Sequence, residues 1–330
     1  MSEQALKDHN MLLGPERKIE TAENGTLVKK SIDNATRKLE ECQRKSSAVV
    51  VPDPANGNEL TNGVGEVGTW EIEYIESEKL TDVEDVDASL KAVLAGLDSK
   101  DWLLVCDTLN NVRRLALFHK EVMLNMVGDA ITLLVNALKN PRSAVCKTGI
   151  MTSADIFCVY NDKLVDFLDP LLVQLLLKAS QDKKFVCEAA EKALVAMTSW
   201  VSPTLLLPKL QPYLKNRNPR IRAKASTCFC RSVLRLGVEG IKAYGIDELI
   251  RTAASQLSDQ LPESREAARS LLLELQTVYE KSPDYVPSSV SEYPETSSWE
   301  NFCQSKLSPL NAQAVLRVTN IAREALVSSS

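Results

Sequence analysis

Asn140-Pro141-Arg142-Ser143-Ala144-Val145-Cys146-Lys147-Thr148-Gly149-Ile150-Met151-Thr152-Ser153-Ala154-Asp155-Ile156-Phe157 is the stretch on which the fold is read. It opens with an asparagine, a good helix cap, and a proline suited to the first helical position, where a missing N–H costs nothing. Val145, Ile150, Ala154, Ile156 and Phe157 then recur at helical spacing as an apolar stripe. The same opening returns at Asn218-Pro219-Arg220-Ile221-Arg222-Ala223-Lys224, and Ala267, Ala268, Leu271, Leu272, Leu275 and Val278 make a still wider stripe. One helix cannot shield such a stripe from water. A stack of neighbouring helix pairs does so.

Working outward, first helices are predicted near 86–97, 121–139, 164–179, 203–215 and 246–257. Their partners fall near 101–118, 142–160, 185–199, 219–236 and 264–281, with a sixth, less regular pair at 296–306 and 309–326. Short polar turns join each pair at Ser99–Trp102, Asn140–Arg142, Asp182–Lys184, Asn218–Arg220 and Pro262–Arg265. Their separations, about 36 to 45 residues, suit HEAT or armadillo arrays. The expected fold is an all-α solenoid of about six helix pairs over residues 86–330.

Residues 1–85 read differently. They are expected to be a mostly disordered acidic tail, with a short helix over 26–45, where Val28, Ile32, Ala35, Leu39 and Cys42 keep helical spacing. A Pro/Gly/Asn-rich linker follows from Pro52 to Gly68, and the aromatics Trp70 and Tyr74 suggest a segment that docks on the body. This tail holds 10 Lys/Arg against 18 Asp/Glu, whereas residues 86–330 hold 29 against 26. The body is therefore mildly basic and its lead-in acidic.

Several functions fit poorly. No apolar run reaches the roughly 18 residues that span a bilayer, and the N-terminus lacks a signal pattern, so a cytoplasmic protein without membrane contact is expected. Eight scattered cysteines with no CxxC pair read as buried free thiols, and two histidines, His9 and His119, supply no metal-ligand cluster. Phosphate-binding glycine loops, GxSxG and HExxH are absent, so no enzyme, cofactor or metal is expected. A body balance of +3, interrupted by Asp101 and Asp182, lacks the dense basic footprint of a nucleic-acid binder.

Four turns carry a resemblance. Ser99-Lys100-Asp101-Trp102 resembles the tryptophan-bearing first loop of TOG domains, the HEAT arrays of CLASP-type and crescerin-type microtubule regulators. Asn140 to Val145 ahead of Ala154-Asp155-Ile156-Phe157 is similar to that family's second repeat. Asp182-Lys183-Lys184-Phe185-Val186 ahead of Ala190, Ala193, Leu194 and Met197 is similar to its third, and Asn218 to Lys224 to its fourth. The resemblance implies a non-catalytic, cytoskeleton-associated domain whose partner is αβ-tubulin or the microtubule, captured along the turn-bearing edge.

Stacked repeats bring the turns onto one edge, and that edge would present Lys100, Trp102, Lys139, Arg142, Lys183, Lys184, Arg217, Arg220 and Lys224. Basic residues beside the N-termini of the second helices run against the helix dipole, which favours acids there by about 0.3–1 kcal/mol each. An external anionic surface is one reason to keep them, with Trp102 as an apolar anchor. Competing readings stand beside this one. Lys139, Lys183 and Arg217 are equally read as solvated, and Trp102 as packing within the first repeat. Arg142, Arg220 and Arg222 would then brace adjacent repeats through loop carbonyls or acids such as Asp182 and Asp259, and Phe185 would be core. A transport-adaptor or phosphatase-scaffold array is the rival function; its cargo would meet an inner surface rather than the turns. A monomer is expected.

Overall fold

Helices account for the regular structure in the computed structural model, which describes residues 74–281 and 298–327. The predicted helix over 26–45 and the linker at 52–68 lie outside the described residues. The chain divides after Thr69, and everything described below belongs to the second unit, Trp70–Ser330.

The first pair is α1 (Val86–Leu97) and α2 (Trp102–Phe118). The second has α3 (Lys120–Leu124) and α4 (Val127–Lys139) followed by α5 (Ser143–Tyr160). A 3-10 stretch, Asn161–Phe167, leads into α6 (Leu168–Lys178), whose partner is α7 (Lys184–Trp200). Then α8 (Pro203–Leu210) runs into a second 3-10 stretch, Gln211–Lys215, before α9 (Pro219–Tyr244). The last pairs are α10 (Ile246–Gln256) with α11 (Pro262–Glu280), and α12 (Ser298–Lys306) with α13 (Pro309–Val327). This is the expected all-α HEAT-type solenoid, with no strand among the described residues.

The second helices of successive pairs, α2, α5, α7, α9 and α11, form one layer, and the first helices form the other. Between them lies one continuous apolar core, with Leu109, Leu115, Ile131, Leu134, Ile150, Phe157, Leu172 and Leu275 fully buried. Close approach is built in at the first pair. A Cβ on Gly96 would stand 2.3 Å from Oγ1 of Thr108, so glycine there lets α1 press against α2.

The first-layer helices are more broken than their periodicity suggests. Met126 leaves helical geometry (φ −116°, ψ 4°) and separates α3 from α4. Pro170 opposes a continuous α-helix from Asn161 because its ring clashes with the carbonyl four residues earlier, and Pro212 does the same after α8. In the second layer, α9 breaks at Gly237 (φ 67°, ψ 178°), close to the predicted helix end at 236, and a further helical stretch then runs on to Tyr244.

Residues 74–85 form a strap across α2 and α5. Arg113, fully buried, donates from Nε to Oδ2 of Asp155 (2.6 Å) and from Nη1 to the carbonyl of Ile75 (2.7 Å) and Oδ1 of Asn110 (3.1 Å). Ser77 donates to Oδ1 of Asp155 (2.6 Å) and accepts from Nη2 of Arg113 (3.3 Å). Leu80 is buried, His119 contacts Asp82 at 2.7 Å, and Asp85 caps α1 by accepting from the Ala88 N–H. At the other end, Trp299 packs with Tyr279 and Phe302, ring centroids 5.4 and 5.7 Å away, and fixes the last pair on α11.

Candidate functional site

Each turn is built by a local device. Asp101 caps α2 by accepting from the Leu103 N–H (3.0 Å). Asn218 caps α9 by accepting from the Arg220 N–H (3.0 Å), with Pro219 at the first position as expected. Asn140 makes the same contact with the Arg142 N–H (2.9 Å), but α5 starts later, at Ser143, so this is a tight turn preceding the helix rather than its cap.

Side chains then tie each turn to the next. The guanidinium carbon of Arg142, in the second turn, lies 5.1 Å from the ring centroid of Trp102, in the first. Lys183 of the third turn donates to Oγ of Ser143. Arg220 of the fourth donates to Oδ1 of Asp182 (2.5 Å) and to the carbonyl of Ser180 (3.3 Å). Arg222 donates to Oδ2 of Asp259, at the fifth turn (2.6 Å). Five turns that recur about every forty residues thus touch in sequence along one edge of the solenoid.

The nominated cations fall into two groups on that edge. Lys100, Lys139, Arg142, Lys183, Lys184 and Arg217 are exposed. Among the described residues Lys184 reaches only Glu188, at 3.9 Å on its own helix. Arg142 and Lys183 form no ion pair among the described residues; they lie against rings instead, Lys183 at 5.6 Å from the centroid of Phe185. Arg220 and Lys224 are occupied. The first holds Asp182, and the half-buried Lys224 holds Glu191 at 2.6 Å. The bracing reading therefore describes Arg220, and Arg222 beside it. Trp102 is half-buried and packs on the core while Arg142 covers its ring. Phe185, read from sequence as core, is 39% exposed at the start of α7.

Helix ends reinforce the charge. None of α2, α5, α7 and α9 carries an acid in its first turn, whereas α1, α3, α4, α6 and α10 all do. Asp101 offsets the positive dipole end of α2 and Glu263 that of α11, but α5, α7 and α9 have no acid at the cap or in the first turn, so their dipole ends add to the positive edge. One more cation joins it unforeseen: Lys147, one turn into α5, lies 3.7 Å from the ring centroid of Tyr74, an aromatic expected to dock on the body, and 5.9 Å from that of Phe185. Burial lowers the pKa of Lys147, although the field of Glu76 works the other way. Its contact with Tyr74 depends on the strap, and no periodicity in the sequence announces it.

Thiol chemistry has no foothold. Burial pushes Cys106 up to about 11 and Cys228 up to about 12, which keeps both protonated. No group of metal-ligating side chains occurs among the described residues, and no helix among them is long and apolar enough to cross a membrane.

The sequence pattern of the CLASP N-terminal family matches residues 118–292, just over half of the chain. The chain belongs to the CLASP N-terminal family. TOG array regulator of axonemal microtubules protein 1 from Mus musculus is 29% identical over 210 residues, which is 62% of this chain and 12% of that protein. This CLASP N-terminal chain thus spans a small part of that relative's length. The TOG domain of C. elegans Zyg9 superposes with a TM-score of 0.52 at 14% identity, covering 88% of this chain and 96% of that one. The MAST/Orbit N-terminal domain does so with 0.50 at 11% identity, covering 74% and 99%. At such identities the likeness speaks to the fold. The TOG-type repeat architecture read from four turns is therefore established, and the CLASP N-terminal domain is non-catalytic.

Proposed function

We propose that this CLASP N-terminal domain binds αβ-tubulin, free or in the microtubule lattice, along its turn edge and so regulates microtubule dynamics. The observation that carries the reading is the run of side chains across the first three turns. Trp102 lies under Arg142, and Lys183 follows without a carboxylate partner among the described residues. A surface of this kind suits an acidic partner: unpaired cations speed encounter and set orientation, and a partly exposed aromatic supplies an anchor. The mouse relative, named for regulating axonemal microtubules, supports the same partner class. A peptide-cargo adaptor would be expected to concentrate its charge away from the turns. In this reading residues 86–330 are the binding domain, residues 1–85 an acidic lead-in, and the protein works as a cytoskeleton-associated monomer.

Co-elution of the full chain with αβ-tubulin tests it, beside the Trp102→Ala/Arg142→Glu double variant. The unmodified chain is expected to co-elute, and the variant, with unchanged helical content, to elute alone. Equal co-elution of both would remove these two residues from the contact.

A further inference from the structure

We propose that the edge has a second row, set back from the turn tips, in which Tyr74, Lys147 and Phe185 receive a carboxylate of the partner protein flanked by an apolar side chain. This rests on the reading of the turn edge as a protein-binding surface, and it adds the strap to that surface.

Three observations carry it. The Lys147 ammonium stands between two rings, 3.7 Å from the Tyr74 centroid and 5.9 Å from that of Phe185, while Lys183 approaches Phe185 at 5.6 Å. Two cations thus flank one ring that remains 39% exposed. Neither Lys147 nor Lys183 forms an ion pair among the described residues, whereas Arg220, Arg222 and Lys224 farther along each hold a carboxylate. A partly desolvated ammonium gains from an anionic partner, because rings replace only part of the water it gives up. Lys147 is in that state, its pKa lowered by burial.

The strap puts Tyr74 there. Arg113 and Asp155 act as positioning residues, gripping Ile75 and Ser77 immediately after the tyrosine. The chemistry selects the partner class. Glu188 stands exposed on α7 one turn beyond Phe185, and Glu76 follows Tyr74. These acids oppose a continuous polyanion such as RNA, yet leave room for a single carboxylate between the two lysines. The uncovered part of Phe185 asks for an apolar neighbour to that carboxylate.

Affinity of the full chain for αβ-tubulin decides the matter, compared among Lys147→Gln, Lys147→Arg, Tyr74→Ala and Arg142→Glu. Lys147→Gln and Tyr74→Ala are each expected to weaken binding by about threefold to tenfold, in keeping with loss of a cation–ring site. Lys147→Arg should retain affinity, and the paired Tyr74/Lys147 variant should lose less than the product of the two single losses. The Lys147 side chain makes no hydrogen bond among the described residues, so its substitution leaves the hydrogen bonds of Arg113 and Asp155 to the strap in place. Wild-type affinity in Lys147→Gln beside lost binding in Arg142→Glu overturns the second row and leaves the edge standing. An equal loss in Lys147→Arg overturns it too, since charge would then not matter. Wild-type affinity in every variant, no binding by the unmodified chain, or preferential binding of single-stranded RNA overturns the edge reading and the second row together.

Discussion

Arg113 and Asp155 form an ion pair at 2.6 Å between α2 and α5, with side chains 1% and 9% exposed. A charge so enclosed is tolerable only while its partner is present. Asp155→Ala is therefore expected to cost about 3–5 kcal/mol, read from urea unfolding of the chain. Replacing both residues by apolar ones, Arg113→Met with Asp155→Leu, should cost less than the single change. A single-variant loss below about 1 kcal/mol would show that water reaches Arg113. The strap shares this pair, so a chain that begins at Val86 should unfold at lower urea than one that begins at Trp70, having lost the Ile75 carbonyl and Ser77 hydroxyl.

Asp182 holds Arg220 on the exposed edge, their side chains 88% and 53% accessible. Such a pair adds about 0–1 kcal/mol to folding. Asp182→Asn should leave stability almost unchanged while freeing Arg220 and making the edge more positive by one charge. Tubulin binding at low salt is then expected to tighten by about twofold to fivefold, and the gain to fade as the screening length shortens to about 8 Å. Titrations at two ionic strengths check this. Weaker binding of the variant at low salt would mean that the brace sets the shape of the turn and does not compete for the cation.

Gly237 breaks α9 with φ 67° and ψ 178°, and a Cβ there would meet nothing within 4 Å. Any cost of Gly237→Ala must therefore come from the backbone, in a region that L side chains avoid, and is expected to be about 1–3 kcal/mol. Guanidinium unfolding of the variant measures it. A neutral or stabilising outcome would show that the helix straightens through this point.

Asp259 titrates with a sign that can be worked out. Burial alone would raise its pKa, but hydrogen bonds from Arg222 and from the Leu261 N–H outweigh it, and the folded value lies below the ordinary one. The unfolded state therefore takes up the proton first. The stabilisation is complete above the usual carboxylate range, about 3.9, and is lost as pH falls through the lower folded value. Thermal unfolding from neutral pH to below about 4 should show a steeper decline for the unmodified chain than for Asp259→Asn. Parallel declines would remove Asp259 from the acid response.

What could be read beforehand divides along physical lines. Second-layer helices were legible because a stripe such as Ala268, Leu271, Leu272, Leu275 and Val278 exists only to be buried, and all five are. Turns were legible because Asn218 and Pro219 act locally, on the next few backbone groups. Asp182 and Asp259 are legible as braces for Arg220 and Arg222, but the partner of Lys224 is harder, since Glu191 lies more than thirty positions away and several acids compete for each cation. Phe185 was misread because a ring at a helix start counts toward an apolar stripe whether or not a neighbour covers it. Arg113 carried no signal at all; one arginine inside a helix is ordinary until the strap and Asp155 arrive around it. Breaks in the first layer were foreshadowed by Pro170 and Pro212, which a reading by periodicity alone passes over.

The links from Trp102 to Arg142, Ser143 to Lys183 and Asp182 to Arg220 join each turn to the next, so the proposed binding edge would work as a ruler. A surface whose acidic groups repeat at the same interval engages all the marks at once, whereas one with another pitch meets them singly and departs quickly. Selectivity can therefore reside in spacing, with no individual contact being specific. Lengthening a single connection between pairs would shift the scale for every mark beyond it.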